Sequence, residues 1–355
     1  MKKLLTVAII FAIMLAMICS LGACAKTTLS VSDNDTVASS SETSEKNPLA
    51  QWTPTPGEPP DSSDYFAVEA ATRNDPIIDE VLAALAADQR SDLSAKIIPF
   101  SASPARNNLD ATQQAMYDKM LNKIKAVEPV QFLLSEWGSL DLNYAYAVYS
   151  ALIEDYPELK SYSYADTIQK TTGQITGVEI LYLEPSTLWK NENPDPQRIR
   201  DDMALFDAVV DRIIQRIPAN ASAYDKYRYL AYVQSLIESY DYDLERDRSD
   251  PWSGIMAGQS VCEGYAWTFY YLCKEAGLWC SVIEGTVIAA DDNDHHVWNL
   301  VQLDTGTYFI DVTWSDAGDP SLGSDEWMRY FMMDQATASI DHDPDDGTVA
   351  AGSNL

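Results

Sequence analysis

Residues 296–314 read "HVWNLVQLDTGTYFIDVTW". Two runs rich in Val, Trp, Tyr, Phe and Ile flank Asp304-Thr305-Gly306, a pattern that predicts two strands, 296–303 and 307–314, joined by a tight turn. Register then settles the chemistry. A two-residue loop at Asp304-Thr305 pairs Trp298 with Asp311 and sets His296 diagonal to Asp311 on one sheet face, roughly 7–8 Å away between backbones. A plain three-residue loop would turn Asp311 to the other face. In the first register a carboxylate reaches an imidazole.

A thiol lies upstream, in "GQSVCEGYAW", residues 258–267. Ser260 and Glu263 have the spacing of a capping box, and Val261, Tyr265, Phe269 and Cys273 then recur every four residues, as on the buried face of a helix. Cys262 is thereby expected in the first helical turn. There the helix dipole stabilises a thiolate, and the Cys262 N–H, lacking an intrahelical acceptor, is free to meet an oxyanion beside the sulfur. Taken alone, Cys262 reads as a small buried hydrophobe, His296 as a surface histidine and Asp311 as a polar strand residue. Together they read as nucleophile, base and orienter.

Cys262 in "VCEGYAW", His296 in "HVWNLV" and Asp311 in "YFIDVTW" resemble, in order and spacing, the three blocks of the transglutaminase-like superfamily. "AVYSALIEDYPEL" upstream and "YFMMD" downstream resemble exported bacterial members. The resemblance covers about residues 220–335 and is looser over 70–200. It implies an α+β fold with a papain-like core, a nucleophile helix packed on an antiparallel sheet; the helical periodicity upstream is read as a mostly helical α/β accessory domain before it. The resemblance also implies amide chemistry through a Cys thioester: protein cross-linking, deamidation or peptide hydrolysis on a protein or peptidoglycan amide. Some members are inactive, so a non-catalytic substrate-binding module with a retained fold is the alternative.

Other residues keep two readings. Gln259 is a second oxyanion donor or a plain turn residue. Asp291, Asp292 and Asp294 could stabilise the imidazolium, attract an amine or bind calcium as in some animal transglutaminases. No calcium-loop pattern accompanies them, which favours a solvated loop. A metal centre at Cys262 and His296 lacks paired Cys or His spacings, so neither metal nor cofactor is expected. Cys273 and Cys280 form a disulfide or stay as free buried thiols. The acidic "DHDPDDG" reads as solvated.

The chain begins "MKKLLTVAIIFAIMLAMICSLGAC": a basic start, then an apolar run of signal-peptide length. Leu21-Gly22-Ala23-Cys24 resembles a bacterial lipoprotein cleavage box, which implies a 1–23 signal peptide and lipid on Cys24. The mature protein would be anchored by that lipid to the outer face of the cell membrane. Residues 24–65 include "SDNDTVASSSETSEK" and "WTPTPGEPPDSSD", the composition of a disordered tether. With 24 Lys and Arg against 54 Asp and Glu, the formal charge is −30, which excludes nucleic acid as a partner. The remainder divides into an accessory domain at 66–195, the transglutaminase-like domain at 196–345 and a tail at 346–355. Apolar periodicity predicts helices from Ile77 to Leu85, after Asp110 with a capping box to Gln113, over 143–157, from Arg198 to Ile217 and from Ala223 to Ser239. "GVEILYLEP" predicts a strand. Oligomeric state is not readable.

Overall fold

The computed structural model describes residues 77–86, 105–137, 141–187, 194–242, 249–288, 293–317 and 321–352. The expected signal segment, the tether, Cys24, Asp291 and Asp292 lie outside them.

Helix α1 covers residues 77–86, α2 Ala111–Lys125 and α3 Leu142–Asp155; strands β1 (Val130–Leu133), β2 (Ser163–Gln169) and β3 (Ile175–Tyr182) pair in the antiparallel order β1-β3-β2. The α2 capping box forms as predicted: Asp110 accepts from the Thr112 and Gln113 N–H groups while Gln113 accepts from the Asp110 N–H. Tyr117, Met120, Ile124, Val148 and Leu152 from α2 and α3 pack on Phe132, Val178 and Ile180 of the sheet, which makes the first core. Helix α1 does not join it. Ile78, Val81 and Leu85 pack instead with the second core, against residues more than a hundred positions later.

The second core is built around α4 (Pro196–Gln215), α5 (Ala223–Ile237) and α6 (Cys262–Glu275). Two-residue strands β4 (Ser239–Tyr240) and β5 (Gln259–Ser260) pair in parallel just before α6. Beyond it, β6 (Cys280–Ile288), β7 (Asn293–Leu303), β8 (Gly306–Ile310) and β9 (His342–Pro344) form an antiparallel sheet in the order β8-β7-β6-β9, and α7 is the short turn Val312–Ser315. Helix α5 is buried on every face, as a central helix must be. Helix α6 lies between the two cores. Its Phe269 and Cys273 sit in the second, while Trp267 packs on the first and the Tyr270 hydroxyl donates to the Glu154 carbonyl at 2.6 Å. Helix α4 also bridges them, with Ile199 in the first core and Phe206, Val209 and Ile213 in the second.

The hairpin has the two-residue loop. Leu303 pairs with Gly306 and Asn299 with Ile310, so the register continues to Trp298 opposite Asp311. The predicted second strand stops short, however. At Asp311 the chain turns into α7, because the Asp311 carboxylate caps it through the Trp314 N–H at 3.1 Å. Residues placed in a tail are packed: Ala350 is buried, and the Gly352 N–H donates to the Thr307 carbonyl at 2.9 Å. His342, expected to be solvated, is buried on β9.

Gly285 lies at the centre of this sheet, opposite His296 on β7 and Pro344 on β9. A Cβ there would meet the Asp343 carbonyl oxygen at 2.4 Å and the Trp298 ring at 2.5 Å, neither of which can swing away. Gly285→Ala is expected to lower stability by about 1–3 kcal/mol through overpacking. Urea denaturation reads this directly, and an unmoved midpoint would mean that β9 is not seated as described.

Candidate active site

The N-terminus of α6 carries the thiol. The capping box expected there does not form: the N-cap is Val261, with no side-chain bond, and Cys262 is the first helical residue. The Ser260 hydroxyl is taken by a stronger acceptor, donating to the buried Glu238 carboxylate, which also accepts from Gln234 Nε2 at 2.7 Å. Gln234 Nε2 in turn donates to the Tyr265 carbonyl at 2.9 Å, so α5 grips the first turn of α6. Burial pushes the Glu238 carboxyl up to about 8, against the opposing bonds from Ser260 and Gln234. Glu263, freed from capping, pairs with Lys160 at 2.9 Å.

The Tyr240 hydroxyl lies beside the Cys262 N–H, placed there by the parallel β4–β5 pair. Burial, followed by the neighbouring Cys262, pushes the Tyr240 phenol up to about 12. Gln259, read as either a second oxyanion donor or a plain turn residue, is exposed on that pair. Cys262 itself is half-buried and remains a free thiol, as do Cys273 and Cys280. The last two are neighbours in the core, where burial, with Cys280 beside it, holds the Cys273 thiol well above its usual range.

Strand β7 brings the base to the thiol. Asn299 Nδ2 donates to the Ala266 carbonyl of α6 at 3.0 Å, which ties the strand to the helix three residues beyond His296. His296 is 5% exposed, flanked by Trp314 at 5.5 Å and Trp298 at 6.0 Å between ring centroids. Its Nε2 lies 2.8 Å from Asp311 Oδ2, and the Cys262 thiol lies close enough to the ring to help raise it. With Nε2 engaged by Asp311, Nδ1 is the nitrogen left for sulfur. Burial alone would push the imidazolium down. The Asp311 charge and bond, with Cys262 beside the ring, outweigh it and hold His296 up at about 10. Burial would likewise push the Asp311 carboxyl up, yet the His296 charge and bonds from two imidazoles hold it well below the usual carboxylate range.

The second imidazole is His342, whose Nε2 lies 3.1 Å from the same Asp311 Oδ2. Among the described residues, His296, Asp311 and His342 are the one group whose donor atoms cluster tightly enough, within 4.8 Å, to admit a metal ion. The separations of 2.8 and 3.1 Å are those of N–H···O bonds, which an inserted ion would have to break. Of the acidic residues before the base, Asp294 is exposed, as is His295. The structure thus brings together Cys262, His296 and Asp311, and adds Tyr240, Glu238 and His342. Buried aromatic neighbours and a thiol, imidazole and carboxylate in line suit nucleophilic acyl chemistry.

Residues 209–313 match the family model of the transglutaminase-like superfamily, whose members are generally thiol-dependent acyltransferases or proteases. The chain carries a transglutaminase-like domain, within a mixed helix-and-sheet fold. No curated protein matches it. Among solved structures it is similar to one described as "a Putative Cysteine Protease from Cytophaga hutchinsonii", at 11% identity and a TM-score of 0.28, over 42% of this chain and 61% of the other. A structure described as "a TGase" is 15% identical, with a TM-score of 0.30, over 57% of this chain and 56% of the other. The chain therefore spans less than two thirds of either, and likenesses this distant bear on neither activity nor substrate.

Proposed function

We propose that the protein is a thiol-dependent amide acyltransferase or hydrolase with Cys262, His296 and Asp311 as its catalytic triad. The observation that carries this reading is the buried 2.8 Å bond between His296 Nε2 and Asp311 Oδ2, on a ring whose other nitrogen faces a thiol at a helix N-terminus. With the pair's proton on His296 Nδ1, the Cys262 sulfur adds to the amide carbon. The Cys262 N–H and the Tyr240 hydroxyl stand beside the resulting oxyanion. The tetrahedral species collapses to a thioester as the imidazolium gives its proton to the departing amine. An amine or water then adds to the thioester, His296 takes the proton of that nucleophile, and the thiolate leaves, restoring the pair. An amine acceptor yields a cross-link. Water yields deamidation of a glutamine or cleavage of a peptide bond. Trapping the thioester and identifying the acyl group on the residue-262 peptide by mass spectrometry tests the scheme; a trapped adduct on any other residue overturns it.

We place this chemistry at the cell surface, on protein or peptidoglycan amides, with the lipid on Cys24 as the anchor. Support comes from the Leu21–Cys24 box and the tether composition. Cys24→Ser is expected to abolish labelling by a radioactive fatty acid and to release most of the exported protein from the membrane fraction. Persistent labelling would refute the anchor.

A further inference from the structure

Both ring nitrogens of His342 face carboxylate oxygens: Nδ1 lies 2.7 Å from Asp341 Oδ1 and Nε2 3.1 Å from Asp311 Oδ2. That Asp311 oxygen is the one bonded to His296. The His342 side chain is 0% exposed, boxed by Trp298 and Trp314, each 4.9 Å away between ring centroids, and by Tyr330 at 6.0 Å. Asp341 is held in turn by Arg329 Nη2 at 3.0 Å. A continuous file of polar groups therefore runs from Cys262 through His296, Asp311, His342 and Asp341 to Arg329.

Nothing in a three-residue edge strand calls for an imidazole in an aromatic box. An apolar side chain would fill the space without the desolvation cost of two ring nitrogens. What the imidazole supplies is a grip on Asp311. The Asp311 Oδ1 is fixed by the Trp314 N–H at 3.1 Å, and His342 and His296 share Oδ2. A carboxylate bonded on both oxygens cannot rotate, and an oxygen with two donors yields less of its charge to each.

We propose that His342 is a positioning residue of this site, clamping the Asp311 carboxylate against His296 and setting how much of its charge His296 receives. The inference rests on the triad reading above. The charged and titratable groups facing His342 are Asp311, Asp341, His296 and Tyr330, with Arg329 behind Asp341.

The test follows the His296 ring titration by NMR in the full chain labelled at histidine, where only three histidines contribute. The wild-type midpoint is expected at about 10. His342→Phe keeps an aromatic ring in the box and removes both nitrogens. Asp311 Oδ2 then serves His296 alone, and the midpoint rises by roughly half a unit or more. His342→Gln keeps one N–H for Asp311 and should return the midpoint toward wild type. A role in packing alone predicts no movement in His342→Phe, which would overturn the proposal. Should that variant fail to fold, Asp341→Asn leaves every Asp311 contact in place and weakens the hold on His342; a smaller rise supports the clamp, and no shift overturns it. A wild-type midpoint near the ordinary value of 6.5 would instead defeat the His296–Asp311 pairing, and the clamp with it.

Discussion

Cys262→Ala leaves a folded protein that forms no acyl-enzyme. Cys262 is the first residue of α6, its side chain caps nothing, and Val261 makes no cap bond that the substitution could disturb. Ala is the best helix former, and the loss of one half-buried sulfur should cost less than about 1 kcal/mol. The chemistry has no substitute nucleophile. Cys273 and Cys280 are buried in the core, away from the helix start. Turnover should fall by roughly 10⁵-fold or more, the scale of removing a nucleophile from a triad. Iodoacetamide labelling of the residue-262 peptide should vanish with it, while the thermal midpoint stays close to wild type. Retained turnover in the purified variant would dispose of the thioester scheme.

Asp311→Asn tests the carboxylate of the triad, and the structure changes the character of its expected effect. For an isolated His–Asp pair, Asn would preserve volume and a hydrogen bond, and stability would barely move. Asp311 instead accepts from three donors: the Trp314 N–H on Oδ1, and His296 and His342 on Oδ2. An Asn side chain has a single oxygen, so its NH2 must face either the helix cap or the two rings. One buried donor then goes unmet, at a cost of about 1–3 kcal/mol. Turnover should fall roughly ten- to a thousand-fold, less than in His296→Ala, because a Cys–His pair is already nucleophilic.

The pH behaviour follows with a definite sign. His296 is raised from 6.5 to about 10, so its contribution to stability is complete below 6.5 and lost as pH rises through about 10. Asp311 is depressed from 3.8, so its contribution is present above 3.8 and lost only as pH falls through its lower folded value. In Asp311→Asn the His296 proton should leave at lower pH, drawing the alkaline limb of the rate profile down from about 10 toward the ordinary imidazole range. An unchanged rate and limb would show that Asp311 does not orient the base.

The hairpin itself was readable because two apolar runs around Asp304-Thr305-Gly306 are a local property, while its register stayed open between a two- and a three-residue loop. Residues 296–301 are buried on both faces, so no alternation marks the register, and the Leu303–Gly306 pairing of the folded sheet is what sets Trp298 opposite Asp311. The first turn of α2 was readable as a local property too, since Asp110 and Gln113 satisfy each other three residues apart. Cys262 in a first helical turn was expected from a capping box and a four-residue spacing, and the helix starts there although the box does not form.

The details that tune the site have non-local causes. Ser260 has the spacing of a cap, but the buried carboxylate of Glu238, twenty-two residues earlier in the chain, takes its hydroxyl, and only packing of α5 on α6 creates that competition. Tyr240 reaches the Cys262 N–H through a two-residue parallel pair, too short to leave a period in the sequence. Val312 and Thr313 read as strand, yet the Asp311 cap turns the chain, because the next backbone partners come from Tyr330 and Met333. His342 sits among Asp, Pro and Gly residues that read as solvent-facing. It enters the site only because β9 adds to the edge of β6, thirty-one positions beyond Asp311, and a three-residue strand draws its burial wholly from the sheet it joins.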